Sequence, residues 1–281
     1  MKVGIIGLGL MGGSLGKTLK KFNDYEVLGY DISETVMLKA EMVGAINGVL
    51  DEVSAKDIDM LILSVVPSAV KPCLERFLPH LKNGAIVTDF CGIKRQTIQE
   101  MQGLATIYPN LIFVGGHPMA GREFSGIERS VSTLFDKASM ILCNVNADIF
   151  MLEKIKSFYL SIGFSEVVIT TPENHDKQIA FTSQLCHIVS NAFIKNDIAT
   201  EHFGYSAGSY RDLTRVARLN PEMWAELMIE NGDNLSVQLD ELISNLQKYS
   251  VALKNGDKQE LKTLLKDGND RKLMIDTRVK K

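Results

Sequence analysis

The sequence predicts an α/β fold, with a doubly wound sheet in the first part of the chain and an all-helical domain in the rest. Up to Thr171, short apolar runs alternate with helical patterns, which is typical of strand-helix-strand units in a parallel sheet. After Thr171-Pro172 there is no convincing strand, and helical periodicity continues almost to the end. Because 281 residues exceed what one hydrophobic core usually holds, two domains are expected, at residues 1–171 and 172–281.

The predicted strands are short apolar runs, and the predicted helices carry apolar residues at helical spacing. The strands are expected at residues 2–6, 26–30, 60–65, 85–88, 111–114, 140–143 and 166–169. The helices between them are expected at residues 14–22, 34–43, 68–78, 95–102 and 148–162. The helices of the second domain are expected at residues 173–196, 209–218, 221–230, 233–255 and 258–267.

Charge and composition exclude several classes of partner. The net charge is −3 and no basic run is longer than the terminal Lys280-Lys281, so the chain lacks the positive surface that nucleic acids need. No apolar run reaches the roughly 20 residues of a membrane span. The 4 cysteines lack the close pairing of zinc sites or disulfide scaffolds, so we expect no metal and a reducing, cytoplasmic location. The expected partner is a small molecule or a second copy of the chain.

A glycine motif follows the first predicted strand and leads into the first helix. Its residues match the pattern G-x-G-x-x-G and are expected to contact a dinucleotide: Gly7, Leu8, Gly9, Leu10, Met11 and Gly12. The glycines permit a tight turn and a close approach of the backbone to a pyrophosphate, and the helix N-terminus offers free N–H groups and its positive dipole end. This context, more than the glycines themselves, predicts a Rossmann-type nucleotide-binding domain.

An acidic residue at the end of the second predicted strand indicates which dinucleotide binds. Asp31 stands where a carboxylate accepts hydrogen bonds from the adenosine ribose of NAD. Residues 32–35 supply no cation for the 2′-phosphate of NADP, so NAD is the expected cofactor. Ligands of a doubly wound sheet bind at the carboxyl ends of its strands, so we expect Val65 and Asp89 beside the nicotinamide.

Several separated segments carry a resemblance to a known family. Residues 115–126 read GGHPMAGREFSG, residues 89–94 read DFCGIK, residues 212–215 read DLTR, and residues 221–224 read PEMW. In order and spacing, from about residue 2 to at least residue 224, the chain resembles the prephenate dehydrogenase family. The resemblance implies an NAD-dependent enzyme that oxidises and decarboxylates prephenate, or its amino analogue arogenate, on the route to tyrosine.

The resemblance also implies roles for particular side chains. It implies that His117 accepts the proton of the ring hydroxyl as general base, that Arg215 binds a substrate carboxylate, and that His187 lines the substrate pocket. It implies further that Trp224 reaches the site from a partner subunit, because family members are typically dimers built through the helical domain. Glu123 is expected at the substrate site, where it either orients the site or forms a surface ion pair.

The sequence departs from the family pattern in two places. Gly92 stands where many relatives have serine, which removes a hydroxyl expected near the substrate. In residues 183–187, which read SQLCH, only the second of two histidines often found in relatives is present, as His187. The contacts of the missing groups are not carried over, which leaves room for a different polar partner of His117. His175, at the start of the second domain, is a further candidate for the site.

The apolar residues of the long helix predicted at 233–255 recur at helical spacing. They are Leu235, Leu239, Leu242, Ile243, Leu246 and Tyr249. This stripe is either part of the core of the helical domain or a dimer interface, and both interpretations stay open.

Two other functions also stay open at this point. The 3-hydroxyacid dehydrogenases begin with a similar glycine motif, but they use a helix-borne lysine preceded by glycines, a context that Lys177 and Lys195 lack. A non-enzymatic alternative is a redox-sensing module that holds NAD without turnover. The presence of both His117 and Arg215 argues against it.

Overall fold

The computed structural model describes residues 1–22 and 24–279, so the terminal Lys280-Lys281 lies outside the described residues. The strands, numbered along the chain, are β1 Lys2–Ile6, β2 Glu26–Tyr30, β3 Gly48–Val49, β4 Met60–Leu63, β5 Ile86–Asp89, β6 Ile112–Pro118, β7 Ser139–Asn144 and β8 Glu166–Thr170. They form one 8-stranded sheet in the order β3-β2-β1-β4-β5-β6-β7-β8. The predicted α/β class is confirmed, and the short β3 is a strand that the apolar pattern does not predict.

Most neighbouring strands run parallel, as the alternating pattern predicts, but one pair does not. The strands from β3 across to β6 are parallel to one another. The prediction of a parallel sheet is wrong at β7, which runs antiparallel to β6. Residues 119–138, which connect the two strands, contain a 3₁₀ turn at Ile127–Arg129 but no helix that could carry the chain back for a parallel strand.

Helices cover both faces of the sheet, which confirms the doubly wound arrangement. They are α1 Leu10–Leu19, α2 Glu34–Met42, α3 Pro67–Phe77, α4 Arg95–Ile107 and α5 Ile149–Ser161. On one face α1 and α5 contribute the fully buried Leu15 and Tyr159 to one apolar cluster. On the other face α3 and α4 contribute the fully buried Leu74 and Met101 to a second cluster.

The remainder of the chain is helical, as predicted. The helices are α6 Pro172–Ile179, α7 Cys186–Phe193, α8 Gly208–Thr214, α9 Pro221–Glu230, α10 Gly232–Lys254 and α11 Lys258–Val279. The single helix predicted at 173–196 is wrong in detail, because a π-helical segment, Ala180–Leu185, joins α6 to α7. α11 continues past its predicted end at Asp267, since ion pairs one turn apart support it: Lys266 with Asp270, Arg271 with Asp267, and Lys272 with Asp276.

The chain divides by its contacts into two compact units, Met1–Asn231 and Gly232–Lys281. The first unit holds the sheet together with α6 to α9, and the second holds α10 and α11, where the Tyr249 hydroxyl donates to the Leu264 carbonyl at 3.3 Å. The boundary expected after residue 171 stays a prediction. In the described part of the chain, no helix has the length and apolar character of a membrane span. The same residues contain no cluster of His, Cys, Asp and Glu side chains arranged to hold a metal ion.

Candidate active site

The turn after β1 has the shape that the glycine motif predicts. Gly7 adopts a φ of 85°, which favours glycine, and its N–H donates to the Tyr30 carbonyl at 2.8 Å. A Cβ on Gly12 would lie 1.9 Å from the Gly7 carbonyl oxygen, so only glycine lets α1 begin this close to the turn. α1 begins at Leu10 without a side-chain cap, which leaves its first N–H groups free for a ligand.

Gly9 differs from Gly7 and Gly12 because a Cβ there would meet no atom within 4 Å. This open space adjoins the uncapped N-terminus of α1, which attracts phosphate through its free N–H groups and its dipole. The residues present therefore fit the pyrophosphate of the expected dinucleotide. Leu8 is fully buried beneath the turn, whereas Leu10 and Met11 are partly exposed in the first turn of the helix.

Gly9→Ala should weaken NAD binding, whereas Gly12→Ala should destabilise the fold. Gly9→Ala places a methyl group in open space, so the melting temperature should change by less than about 2 °C while the Kd for NAD rises about tenfold. Gly12→Ala forces the methyl group against backbone, so the melting temperature should fall by about 4 °C or more. Thermal unfolding and calorimetric titration measure the two effects. A Gly9→Ala protein with unchanged affinity would contradict the assignment of the open space.

Asp31 lies directly after β2, and its carboxylate hydrogen-bonds to the glycine turn that follows β1. Its Oδ2 accepts the Leu8 N–H at 2.9 Å and its Oδ1 accepts the Ser33 N–H at 3.0 Å, so the carboxylate is fixed in place. The side chain is partly exposed and each oxygen keeps a further lone pair, so it can accept ribose hydroxyls. Val65 follows β4 and borders the turn, since a Cβ on Gly7 would approach its side chain to 2.8 Å.

Asp89 ends β5 and is fully buried, with internal donors on both carboxylate oxygens. Its Oδ1 accepts the Gly116 N–H at 3.1 Å, and its Oδ2 accepts the Cys91 N–H at 2.9 Å and the ammonium of Lys94, itself fully buried. The carboxylate neutralises Lys94 and binds the backbone of β6, so its hydrogen bonds are made within the protein. The expectation that Asp89, at the carboxyl end of β5, lies beside the nicotinamide stays a prediction.

A hydrogen-bonded chain of three side chains joins β6 to α6. The Nδ1 of His117, near the end of β6, lies 2.8 Å from the Nε2 of His175, and the Nδ1 of His175 lies 2.7 Å from the Oδ1 of Asp176. The backbone N–H groups of Lys94 and Arg95 donate to the Asp176 carboxylate at 2.7 and 2.9 Å. His175 and Asp176 are each 1% exposed, so water does not compete for these bonds.

The carboxylate at the end of this chain determines which nitrogens carry protons. Asp176 accepts, so Nδ1 of His175 is protonated, and neutral His175 then offers Nε2 only as an acceptor. His117 must donate from Nδ1, which leaves the Nε2 of neutral His117 with a lone pair. Among the described residues, no group hydrogen-bonds to that nitrogen, so it is available as a base.

Burial keeps both histidines neutral. It holds the pKa of His117 well below its ordinary value, and the positive charge of nearby Lys94 acts in the same direction. Burial also lowers the pKa of His175, although the hydrogen bond to Asp176 opposes this. Burial by itself would raise the pKa of Asp176, but hydrogen bonds from His175 and from the backbone of Arg95 and Lys94 hold it below its ordinary value. The result is one carboxylate and two neutral imidazoles.

His187 and Trp224 lie against each other within one chain, with ring centroids 4.0 Å apart. The Nδ1 of His187 donates to the Val216 carbonyl at 3.2 Å, which leaves its Nε2 as an acceptor. Burial lowers the pKa of His187, so this imidazole is neutral as well. The role of Trp224 across a subunit boundary stays a prediction, whereas its contact with His187 belongs to a single chain.

Arg215 and Glu123 form an ion pair between the end of α8 and the loop after β6. The Nη1 of Arg215 lies 2.6 Å from the Oε1 of Glu123, and the two side chains are 64% and 33% exposed. The hydrogen bond from Arg215 lowers the pKa of Glu123. Glu123 thus forms an ion pair, and its partner is the arginine expected to bind substrate. The expectation that Glu123 orients the substrate site stays a prediction.

Gly92 and Gln184 occupy the two positions at which the sequence departs from the expected family pattern of a serine and a histidine. A Cβ on Gly92 would meet only the side chain of Leu227, at 3.4 Å, so a serine would fit there. Gln184 donates from Nε2 to the Leu227 carbonyl at 2.8 Å, and its Oε1 accepts from Asn231 at 2.8 Å. Gln184 therefore ties the π-helical segment to the end of α9, and the polar partner of His117 is His175 instead.

Sequence reasoning misses Asp176 and Lys94 as parts of the site and leaves His175 as one candidate among several. The partner of His175 lies 58 positions earlier and that of Asp176 lies 82 positions earlier. Helical or strand spacing carries no information about contacts this distant. The available local signal is the adjacency of a histidine and an aspartate just after the helix start at Pro172.

Two family models together match most of the chain. The model described as "Prephenate dehydrogenase, nucleotide-binding domain" matches residues 15–169. The model described as "Prephenate dehydrogenase, dimerization domain" matches residues 171–267.

Individual proteins are similar over nearly the whole chain. A cyclohexadienyl dehydrogenase from Zymomonas mobilis is 30% identical over 285 residues, covering 98% of this chain and 96% of that protein. The crystal structure of prephenate dehydrogenase from Aquifex aeolicus, in complex with hydroxyphenyl propionate and NAD+, is 27% identical, with a TM-score of 0.83 and 98% of each chain covered. The crystal structure of Synechocystis arogenate dehydrogenase is 27% identical, with a TM-score of 0.79, covering 98% of this chain and 100% of that one. From these matches and the site described above, the chain belongs to the prephenate dehydrogenase family.

Proposed function

We propose that this protein catalyses the NAD-dependent oxidative decarboxylation of prephenate to 4-hydroxyphenylpyruvate in tyrosine biosynthesis. The observation that carries the proposal is the lone pair on His117 Nε2, fixed by the hydrogen bonds through His175 to Asp176. A base at the end of β6, on a sheet that also carries a pyrophosphate cradle, suits removal of a hydroxyl proton next to a hydride acceptor. The similarity to the A. aeolicus enzyme, solved with NAD+, supports the choice of cofactor.

In this reaction the protein itself supplies the group that accepts a proton, and the hydride passes to the cofactor. The ring carbon that bears the alcohol gives up a hydride, the bond to the ring carboxylate breaks with release of carbon dioxide, and the electrons of that bond aromatise the ring. His117 accepts the hydroxyl proton at Nε2, and the phenolic oxygen of the product takes a proton back. NAD, when bound, supplies the hydride acceptor. Aromatisation makes the overall step effectively irreversible.

The residues that would hold NAD lie along the carboxyl ends of β1, β2 and β4. The open space over Gly9 and the uncapped start of α1 suit the pyrophosphate, and Asp31 suits the adenosine ribose. Val65, beside Gly7, is assigned to the nicotinamide side. The first two assignments follow from the free N–H groups, the open space and the unused lone pairs described above, and that of Val65 follows from its position after the end of β4.

Arg215 is assigned to a substrate carboxylate, and Glu123 orients the guanidinium before substrate binds. A planar, fork-shaped donor suits a carboxylate, and the ion pair at 2.6 Å keeps Arg215 in one arrangement. His187 and Trp224, in contact with each other, are assigned to the wall of the substrate pocket.

Arogenate is the second candidate substrate, because the Synechocystis relative is an arogenate dehydrogenase. The two compounds differ only in carrying a pyruvyl or an alanyl side chain. Initial rates of NADH formation with each substrate, with NAD and with NADP, and with and without tyrosine, test the proposal. We expect the highest kcat/KM with prephenate and NAD. A higher value with arogenate would reassign the substrate, and binding of NAD without turnover of either compound would favour an NAD-sensing module.

The exposure of the candidate lysine bases argues against a 3-hydroxyacid dehydrogenase. The lysine candidates, Lys177 and Lys195, are both exposed, so neither is desolvated as a lysine base must be. Turnover of a small 3-hydroxyacid at a rate comparable with that of prephenate would overturn this conclusion.

We also propose that two copies associate through the region that matches the family's dimerization domain. In the stripe on α10, Leu235 is buried, but Ile243 and Leu246 are 51% and 57% exposed, which favours an interface over a core for that part. Sedimentation velocity at micromolar concentration is expected to show a dimer. A monomer at that concentration would contradict the assignment and remove the basis for a Trp224 role across subunits.

A further inference from the structure

An exposed ion pair stands beside the strand end that carries Asp31. The Nε of Arg76, on α3, donates to the Oε1 of Glu52, in the loop after β3, at 2.6 Å. The guanidinium carbon of Arg76 lies 4.5 Å from the centre of the Tyr30 ring, and Tyr30 directly precedes Asp31 in the chain. The two charged side chains are 39% and 42% exposed, so both can be reached from solvent.

The charges of Arg76 and Asp31 both act on the same half-buried side chain, Cys73. Burial raises the pKa of the Cys73 thiol, while the charge of Arg76 lowers it and the charge of Asp31 raises it further. By contrast, Lys39, on the helix that follows Asp31, is paired with Glu128.

A guanidinium near the end of the second strand is the group that accommodates the 2′-phosphate of NADP in dinucleotide-binding folds. In this chain Glu52 already engages that guanidinium and holds it against the Tyr30 ring. We propose that Glu52 is a positioning residue for cofactor selection. By holding Arg76 in the ion pair, Glu52 prevents this arginine from binding the 2′-phosphate of NADP. Discrimination against NADP then depends on two carboxylates, Asp31 by direct repulsion and Glu52 through Arg76.

The inference rests on the proposed use of NAD, and it is tested by binding rather than by turnover. Calorimetric titration gives the Kd of NAD and of NADP for Asp31→Ser and for Asp31→Ser/Glu52→Gln. We expect the second change to tighten NADP binding by a further factor of about two to five, which is the range expected for one partly exposed ion pair. The ratio of the Kd for NADP to the Kd for NAD should therefore fall.

Further variants show whether the effect passes through Arg76. Adding Arg76→Ala to the double variant should abolish the gain, and Glu52→Asp, which keeps the carboxylate, should retain most of the discrimination against NADP. Glu153→Gln in the Asp31→Ser background is the matched control, because it removes one carboxylate from an exposed pair with Lys156 on α5. It should leave both constants unchanged.

The outcomes separate this inference from the proposed function. If NAD binds and is turned over but Glu52→Gln brings no gain in NADP affinity, only the inference is overturned. The same holds if the gain persists without Arg76 or appears equally in the Glu153→Gln control. If the unaltered protein binds neither dinucleotide, both the proposed function and the inference are overturned.

Discussion

His117→Asn is expected to lower kcat by about 10²–10⁴-fold while KM changes little. Asparagine can still hydrogen-bond to the substrate hydroxyl, but it cannot take the proton, so the defect falls on the chemical step. Steady-state kinetics with prephenate at saturating NAD measure both constants. His80→Asn is the matched control, because His80 is an exposed histidine in the 3₁₀ turn after α3 and should leave kcat unchanged.

The same base should appear in the pH dependence of kcat/KM for the unaltered enzyme. Burial holds the pKa of His117 well below its ordinary value, so the acid limb should lie below the ordinary histidine value of about 6.5. The neutral imidazole is the active form, so kcat/KM should be constant above that pKa and fall as the pH drops through it. A His117→Asn enzyme that keeps near-normal kcat, or the same acid limb, would transfer the role of base to another group, with His187 as the first candidate.

Arg215→Ala is expected to raise the KM for prephenate about 30-fold, with a smaller change in kcat. A guanidinium that anchors a carboxylate already present in the ground state contributes on the order of 2–5 kcal/mol. We expect the lower end of that range, because the Arg215 side chain is 64% exposed and water competes for the carboxylate. The defect should therefore lie in binding, in contrast to that of the His117 variant.

Two further variants show whether the Arg215 effect is specific. Arg211→Ala removes the same charge one turn earlier on α8, from another exposed side chain, and should change KM little. Arg215→Lys keeps the charge but loses the fork-shaped donor, so an intermediate KM is expected. An equal rise in KM for Arg211→Ala would show a general charge effect, and an unchanged KM for Arg215→Ala would remove Arg215 from the substrate site.

Local patterns predict most of the elements of this fold, because apolar spacing is a local property. β1, β2 and α9 begin and end at the predicted residues. The misses arise where longer-range contacts decide the structure. The reversal of β7 depends on a connection without a helix, and β3, at Gly48–Val49, is too short to show a period.

In the candidate site, too, the sequence predicts local features but not the contacts between distant parts of the chain. The glycine turn and Asp31 lie at element ends that the sequence marks, and the structure joins them through the hydrogen bond from Leu8 to Asp31. Family resemblance singles out His117, but not the group that fixes its tautomer. That group, His175, comes from a helix far along the chain, and its contact with β6 exists only once the two parts have packed.

The π-helical segment Ala180–Leu185 sets the rotational phase between the two histidines of its helix. In an uninterrupted α-helix, each residue turns the chain by about 100°, so His175 and His187 would point in directions roughly 120° apart. The wider turn takes up about one extra residue and brings the two positions to nearly the same side of the helix axis. This continuous stretch of helix thus presents His175 to His117 on β6 and His187 to Trp224 from nearly the same side. Inserting or deleting one residue in the π-helical segment would therefore rotate one histidine away from its partner.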